Sequence, residues 1–69
     1  MPPYEWLNAV IERGHTARFQ VCGNDYRIVN NGTDLELQVN AGNGIWDVSD
    51  HGSLGYLWIV LHRNLLGGC

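Results

Sequence analysis

Two hydrophobic periodicities divide the chain. In the first segment, PPYEWLNAVIERG, the apolar residues Trp6, Leu7, Val10 and Ile11 recur at helical spacing. They would form one stripe of an amphipathic helix. Pro3 fits a first helical turn, where its missing N–H costs nothing, and Glu5 lies near the positive end of the helix dipole. Gly14 suits the left-handed position just past a helix end. The pattern predicts a helix over roughly Pro3 to Arg13.

Beyond it, glycine sets the rhythm. Gly14, Gly23, Gly32, Gly42 with Gly44, and Gly52 with Gly55 punctuate the chain every nine or ten residues, with Gly67 and Gly68 at the end. Turn signals at that spacing predict short strands in a meander. Taken as a two-residue loop, Asn31-Gly32 pairs Ile28 with Leu35 and Tyr26 with Leu37 on one face, and Arg27 with Glu36 on the other. Gly23-Asn24 as a loop pairs Phe19 with Ile28 and Val21 with Tyr26. Asn43-Gly44 pairs Val39 with Val48, Ala41 with Trp46 and Asn40 with Asp47. A slip of one residue would reverse any of these strands, yet all three turns give one apolar face.

That face is predicted to carry Ala17, Phe19, Val21, Tyr26, Ile28, Leu35, Leu37, Val39, Trp46 and Val48. The outer face would carry Arg18, Gln20, Arg27, Val29, Asp34, Glu36, Gln38, Asn40, Asp47 and Ser49. The helix stripe needs apolar surface to cover, and the inner face is the available partner.

The stretch YLWIVLHRN, Tyr56 to Asn64, fits two structures. As a helix from Ser53 to Leu66 it has a cap at Ser53, a stop at Gly67 and a stripe of Leu54, Leu57, Trp58, Leu61 and Leu65, although Gly55 weakens its first turn. As a strand it offers the β-formers Tyr56, Trp58, Ile59 and Val60. The strand is preferred. The expected fold class is α+β: an N-terminal helix packed on one face of an antiparallel five-stranded meander, with four strands plus a C-terminal helix as the alternative. In the five-stranded form Leu57, Ile59 and Leu61 join the buried face. Tyr56, Trp58 and Val60 lie outside beside Asp47, unless Leu65 and Leu66 fold back over them.

Composition narrows the function. A chain of 69 residues is expected to form one domain, residues 1–69, with a small core. Charged residues are 16% against about 25% in an average domain, and four arginines with no lysine leave a net charge of −3. So few cations cannot build the dense patch of a general nucleic-acid binder. An apolar content of 45% in so small a chain implies spare apolar surface, which usually marks an interface. The six-residue apolar run at Tyr56 falls far short of the ~20 that a membrane span requires. With no leader-like segment at the start, a cytoplasmic location is expected. There Cys22 and Cys69 would be reduced thiols.

No chemistry-bearing constellation stands out. Cys22 as a nucleophile would need an imidazole within reach, and none of His15, His51 or His62 is paired with it by pattern. The histidines and cysteines lack zinc-site spacing. Asp47, Asp50 and His51 in WDVSDHG form a loop-like cluster rather than a recognisable acid–base pair. No catalytic residue, cofactor or metal is therefore expected. The tail LLGGC resembles the Gly-Gly ends of ubiquitin-like proteins, but that family puts its helix between two hairpins and this chain puts it first.

The expectation is a non-enzymatic module that binds a protein partner. Its anchors would be Tyr56, Trp58 and Val60, and its acidic rim Asp47, Glu36 and Asp34. In size and composition the chain resembles the small single-domain inhibitors encoded by phages and mobile elements, anti-CRISPR proteins among them. That resemblance implies occlusion of a host protein, such as a basic nucleic-acid-binding enzyme, which an acidic surface would approach quickly. The alternatives are a homodimeric interaction protein and a weak single-stranded nucleic-acid binder stacking bases on Tyr56 and Trp58 beside Arg18 and Arg27.

Overall fold

Six elements follow one another as α1 (Tyr4–Glu12), β1 (Ala17–Val21), β2 (Asn24–Asn30), β3 (Leu35–Gly42), β4 (Ile45–Gly52) and α2 (Leu54–Leu66), in a computed structural model that describes residues 3–66. The strands form one antiparallel sheet in the order β1-β2-β3-β4. The fold is α+β, with one helix before the sheet and one after. The fifth strand expected at Tyr56 to Asn64 is instead part of α2, so the four-stranded alternative holds.

Pro3 caps α1 in an extended conformation, and Arg13 closes it. Gly14, at φ 79°, turns the chain away. Its N–H donates to the Ile11 carbonyl at 2.9 Å and that of His15 to the Val10 carbonyl at 3.1 Å. These two bonds satisfy carbonyls that a helix end leaves open. Leu7 is fully buried, but Trp6, expected in the same stripe, is 44% exposed.

The core joins Leu7 of α1, the inner-face residues Ala17, Val21, Ile28 and Leu37, and Leu54, Leu57 and Leu61 of α2. The α2 leucines lie three and four residues apart, on one helical face. Ser53 caps the helix: its Oγ accepts the Tyr56 N–H at 3.2 Å, and its carbonyl accepts the Leu57 N–H at 3.0 Å. Three buried leucines and a cap outweigh the β-preference of Tyr56, Ile59 and Val60. Ile59, expected in the core, is 48% exposed as a result.

Two of the hairpins differ from the expected register by two residues. The first turn is Cys22-Gly23, at φ 55° and 80°; positive φ at both positions is the geometry whose twist matches a hairpin. Phe19 therefore faces Tyr26, and Ala17 faces Ile28. The second loop has four residues, 31–34. The Asn31 Oδ1 accepts the N–H groups of Thr33 at 3.1 Å and Asp34 at 3.0 Å, and Ile28 faces Leu37. A shift of two preserves the face, so both errors left the inner set of these strands intact. Cys22 is engaged in a disulfide rather than reduced; Cys69 and the Gly-Gly tail lie outside the described residues.

The junction between β4 and α2 rests on Gly52, at φ 145°, where an added Cβ would stand 3.0 Å from Cδ2 of Tyr56. Gly52→Ala is expected to destabilise by about 1–3 kcal/mol, through backbone strain and the displaced ring. Gly55→Ala has nothing within 4 Å and an ordinary helical backbone, and should stabilise by about 0.5–1 kcal/mol. Thermal denaturation of the two variants should move in opposite directions.

Candidate functional site

In β4 the ladder breaks its own alternation. Gly42 faces Ile45, but Asn40 faces Trp46, which leaves Ala41 as an extra residue. Gln38 faces Val48 and Leu37 faces Asp50, which leaves Ser49 as a second one. Between these two bulges the strand is turned over relative to a regular ladder. Trp46 and Val48, expected in the core, lie on the outer face. Asp47, expected outside, sits opposite the inner-face Val39. The Asn43-Gly44 turn forms as expected, with φ 55° and 76°; the slip enters one step behind it, at Ala41.

The outer face is a polar field around Trp46, and none of its residues is buried. The guanidinium of Arg27 lies 4.3 Å from the Trp46 ring centroid and that of Arg18 lies 5.3 Å away, within range for cation–π attraction. Arg18 pairs with Asp25 at 2.7 Å, and its guanidinium holds the Asp25 carboxyl below its ordinary pKa. Arg27 donates from Nε to Oε1 of Gln38 at 2.6 Å, and Nε2 of Gln38 donates to Glu36 at 2.9 Å. The Asn31 amide donates to Glu36 and to Asp34, each at 3.0 Å. Hydrogen bonds from Asn31 and Gln38 lower the Glu36 pKa. Val48 flanks the field at 57% exposure.

At one end of the sheet, Asp34 meets His51 across 3.0 Å. A cleft of about 370 Å³ opens beside them, lined by Asn30, Thr33, Asp34, Leu35, Gly52 and Ser53. The hydrogen bond to Asp34, then its charge, then the charges of Asp50 and Glu36 raise the His51 pKa. The same bond lowers that of Asp34. The raised His51 contributes stability that is complete below its unfolded pKa, about 6.5, and is lost as pH rises through its folded pKa. The lowered Asp34 contributes stability present above its unfolded pKa, about 3.9, and lost as pH falls through its folded one. The difference in melting temperature between wild type and His51→Gln should therefore be largest between the unfolded pKa of Asp34, about 3.9, and that of His51, about 6.5, and shrink as pH rises through the raised folded pKa of His51. A difference constant across that range would mean the ion pair does not contribute.

The residues expected to form one binding patch are dispersed. Asp34 and Glu36 belong to the outer-face network. Asp47 points to the other side. Tyr56, at the start of α2, donates its hydroxyl to Asp50 at 3.1 Å, and that carboxylate raises the Tyr56 pKa. Trp58 packs against the core, with Tyr4 edge-on at 6.2 Å and His62 stacked at 5.2 Å. Val60 is half-buried against the same core. Asp50 and His51, weighed as an acid–base pair, have separate partners in Tyr56 and Asp34. Among the described residues no group of three or more His, Cys, Asp or Glu is placed to hold a metal ion, and no helix is long and apolar enough to cross a membrane.

The cluster of Arg18, Arg27 and Trp46 escaped the pattern reading. The signal for it was the spacing of Gly42 and Gly44 around Asn43, since a glycine just before a two-residue turn favours a bulge. Compared with known protein families, curated proteins and solved structures, the chain matches none.

Proposed function

We propose that the chain is a non-catalytic binding module that docks a protein partner on the outer face of its sheet, with Trp46 at the centre. The observation that carries this reading is the pair of bulges at Ala41 and Ser49. Alternation alone would put Trp46 and Val48 on the inner face and Asp47 on the outer one; the bulges exchange the two faces. Bulges commonly re-aim side chains at working surfaces, and local rules tend to be broken where function requires it. A tryptophan between arginines is also the composition of an interface hot spot. In this reading the helices close the inner face and leave the outer one for the partner.

Occlusion is the mode of action that fits, as in the small inhibitors of phages and mobile elements. With Cys22 in a disulfide, the thiol weighed as a nucleophile is not available as a thiolate. The partner should be recoverable from an extract of the host with the immobilised protein. Val48→Glu places a charge beside Trp46 and should abolish capture of that species; Asp47→Ala, on the other side of β4, should leave capture unchanged. Equal recovery by wild type and Val48→Glu would put the docking surface elsewhere. Light scattering on the eluting protein tests the homodimer: a stable dimer split by Val48→Glu would assign the face to a second copy of the chain.

A further inference from the structure

Resting on that reading, we propose that Arg27 is a receptor for a carboxylate, so that the partner supplies an aspartate or glutamate side chain beside an aliphatic one. Arg18 and Arg27 stand directly opposite each other on β1 and β2, an arrangement that like charges disfavour. Arg18 has its counter-ion in Asp25. Arg27 has none: among the described residues the ion pairs are Arg18 with Asp25 and Asp34 with His51. Arg27 is nevertheless half-buried, and a charge withdrawn from water without a partner is costly.

Its geometry is fixed from two sides. Gln38 accepts its Nε–H at 2.6 Å, and the Trp46 ring supports the guanidinium at 4.3 Å. Gln38 is itself oriented by Glu36 at 2.9 Å, and Glu36 by Asn31 at 3.0 Å. The Nε is thus used for positioning, while the two terminal amino groups have no hydrogen-bond acceptor among the described residues. A guanidinium so held presents a fork of donors matched to a carboxylate. Val48, opposite Gln38 on the same face and 57% exposed, supplies apolar surface for an aliphatic neighbour of the acid.

A phosphodiester could occupy the same fork. The surroundings favour the carboxylate, because Asp25, Glu36 and Asp34 share the face and the chain is acidic overall, at −3. A polyanion would meet all of these charges, whereas a single carboxylate in a protein epitope meets Arg27 alone.

The test is selection of random dodecapeptides on the immobilised full chain, with the enriched peptides synthesised and their Kd measured. The expected peptides carry Asp or Glu next to an aliphatic residue. Arg27→Gln should weaken them about tenfold or more, the range of a charge-assisted hydrogen bond. Arg27→Lys should retain part of the affinity. Gln38→Met should weaken binding less than Arg27→Gln and shift the Arg27 Nε–H resonance. Changing the peptide acid to its amide should cost wild type as much as Arg27→Gln does, and cost Arg27→Gln nothing further. If Arg27→Gln does not fold, the peptide amide and Gln38→Met give the same readout on a chain that keeps Arg27.

Peptides that need Trp46 but neither an acid nor Arg27 would overturn the carboxylate receptor and leave the binding face standing. Peptides indifferent to both residues would overturn the two together, and failure to enrich any peptide would overturn the receptor. Binding of a thymidine dodecamer that displaces the peptides and is lost in Arg27→Gln would overturn it in favour of phosphate.

Discussion

Leu57→Ala and Leu61→Ala are expected to unfold much of the population at room temperature, while Ile59→Ser should melt within a few degrees of wild type. Leu57 and Leu61 are both fully buried in the core. Truncating a buried leucine costs about 2–5 kcal/mol, from lost transfer energy and the cavity left behind. The core of a domain this small supplies about 3–5 kcal/mol, so either change removes most of that contribution. Ile59 lies between them in sequence but is 48% exposed, and exposed substitutions usually cost about 0.5 kcal/mol or less. The experiment separates helix from strand. Strand periodicity would bury residues 57, 59 and 61 alike, and all three variants would fail together. Urea denaturation followed by circular dichroism gives the three free energies directly.

The contrast also marks how far the sequence is readable. The turn signals at Gly23, Asn31-Gly32 and Asn43-Gly44 located every hairpin, because positive φ and Asx hydrogen bonding are demanded of the turn residues themselves. Face identity in β1, β2 and β3 survived two register errors because both were even. Two things were not legible. One was α2, where the β-preference of Tyr56, Ile59 and Val60 is an intrinsic bias of tenths of a kcal/mol per residue, smaller than the burial of Leu54, Leu57 and Leu61. That burial depends on where the rest of the chain puts its apolar face. The other was the outer-face site. A bulge adds one residue to one strand, so the alternation Trp46, Asp47, Val48 reads as an ordinary half-buried strand while pointing the opposite way. The polar residues of the outer face were visible, but Trp46 reads as core, and the bulges that turn it to that face are set by pairing across strands, not by the local pattern.

The three tryptophans should therefore separate cleanly by role, and this is the second large effect. Trp58→Ala is expected to cost about 3 kcal/mol or more, the lower range for a packed tryptophan, because its ring joins Tyr4 of α1, His62 and the core. Its Nε1 is buried with no hydrogen-bond partner among the described residues, an unmet donor that costs about 1–3 kcal/mol. Trp58→Phe removes that donor and keeps an aromatic ring, so it should lose far less than Trp58→Ala. Trp6→Ala, at 44% exposure, should change little. Trp46→Ala gives up two cation–π contacts, worth about 0.5–1 kcal/mol each at exposed sites, and the chain should remain folded. Its partner affinity should nonetheless fall about 30-fold or more, the effect of losing a central aromatic hot spot worth about 2 kcal/mol. If Trp46→Ala binds as wild type does while Trp58→Phe does not, the working surface lies on the helices, and the bulges in β4 serve only to twist an edge strand away from unwanted pairing.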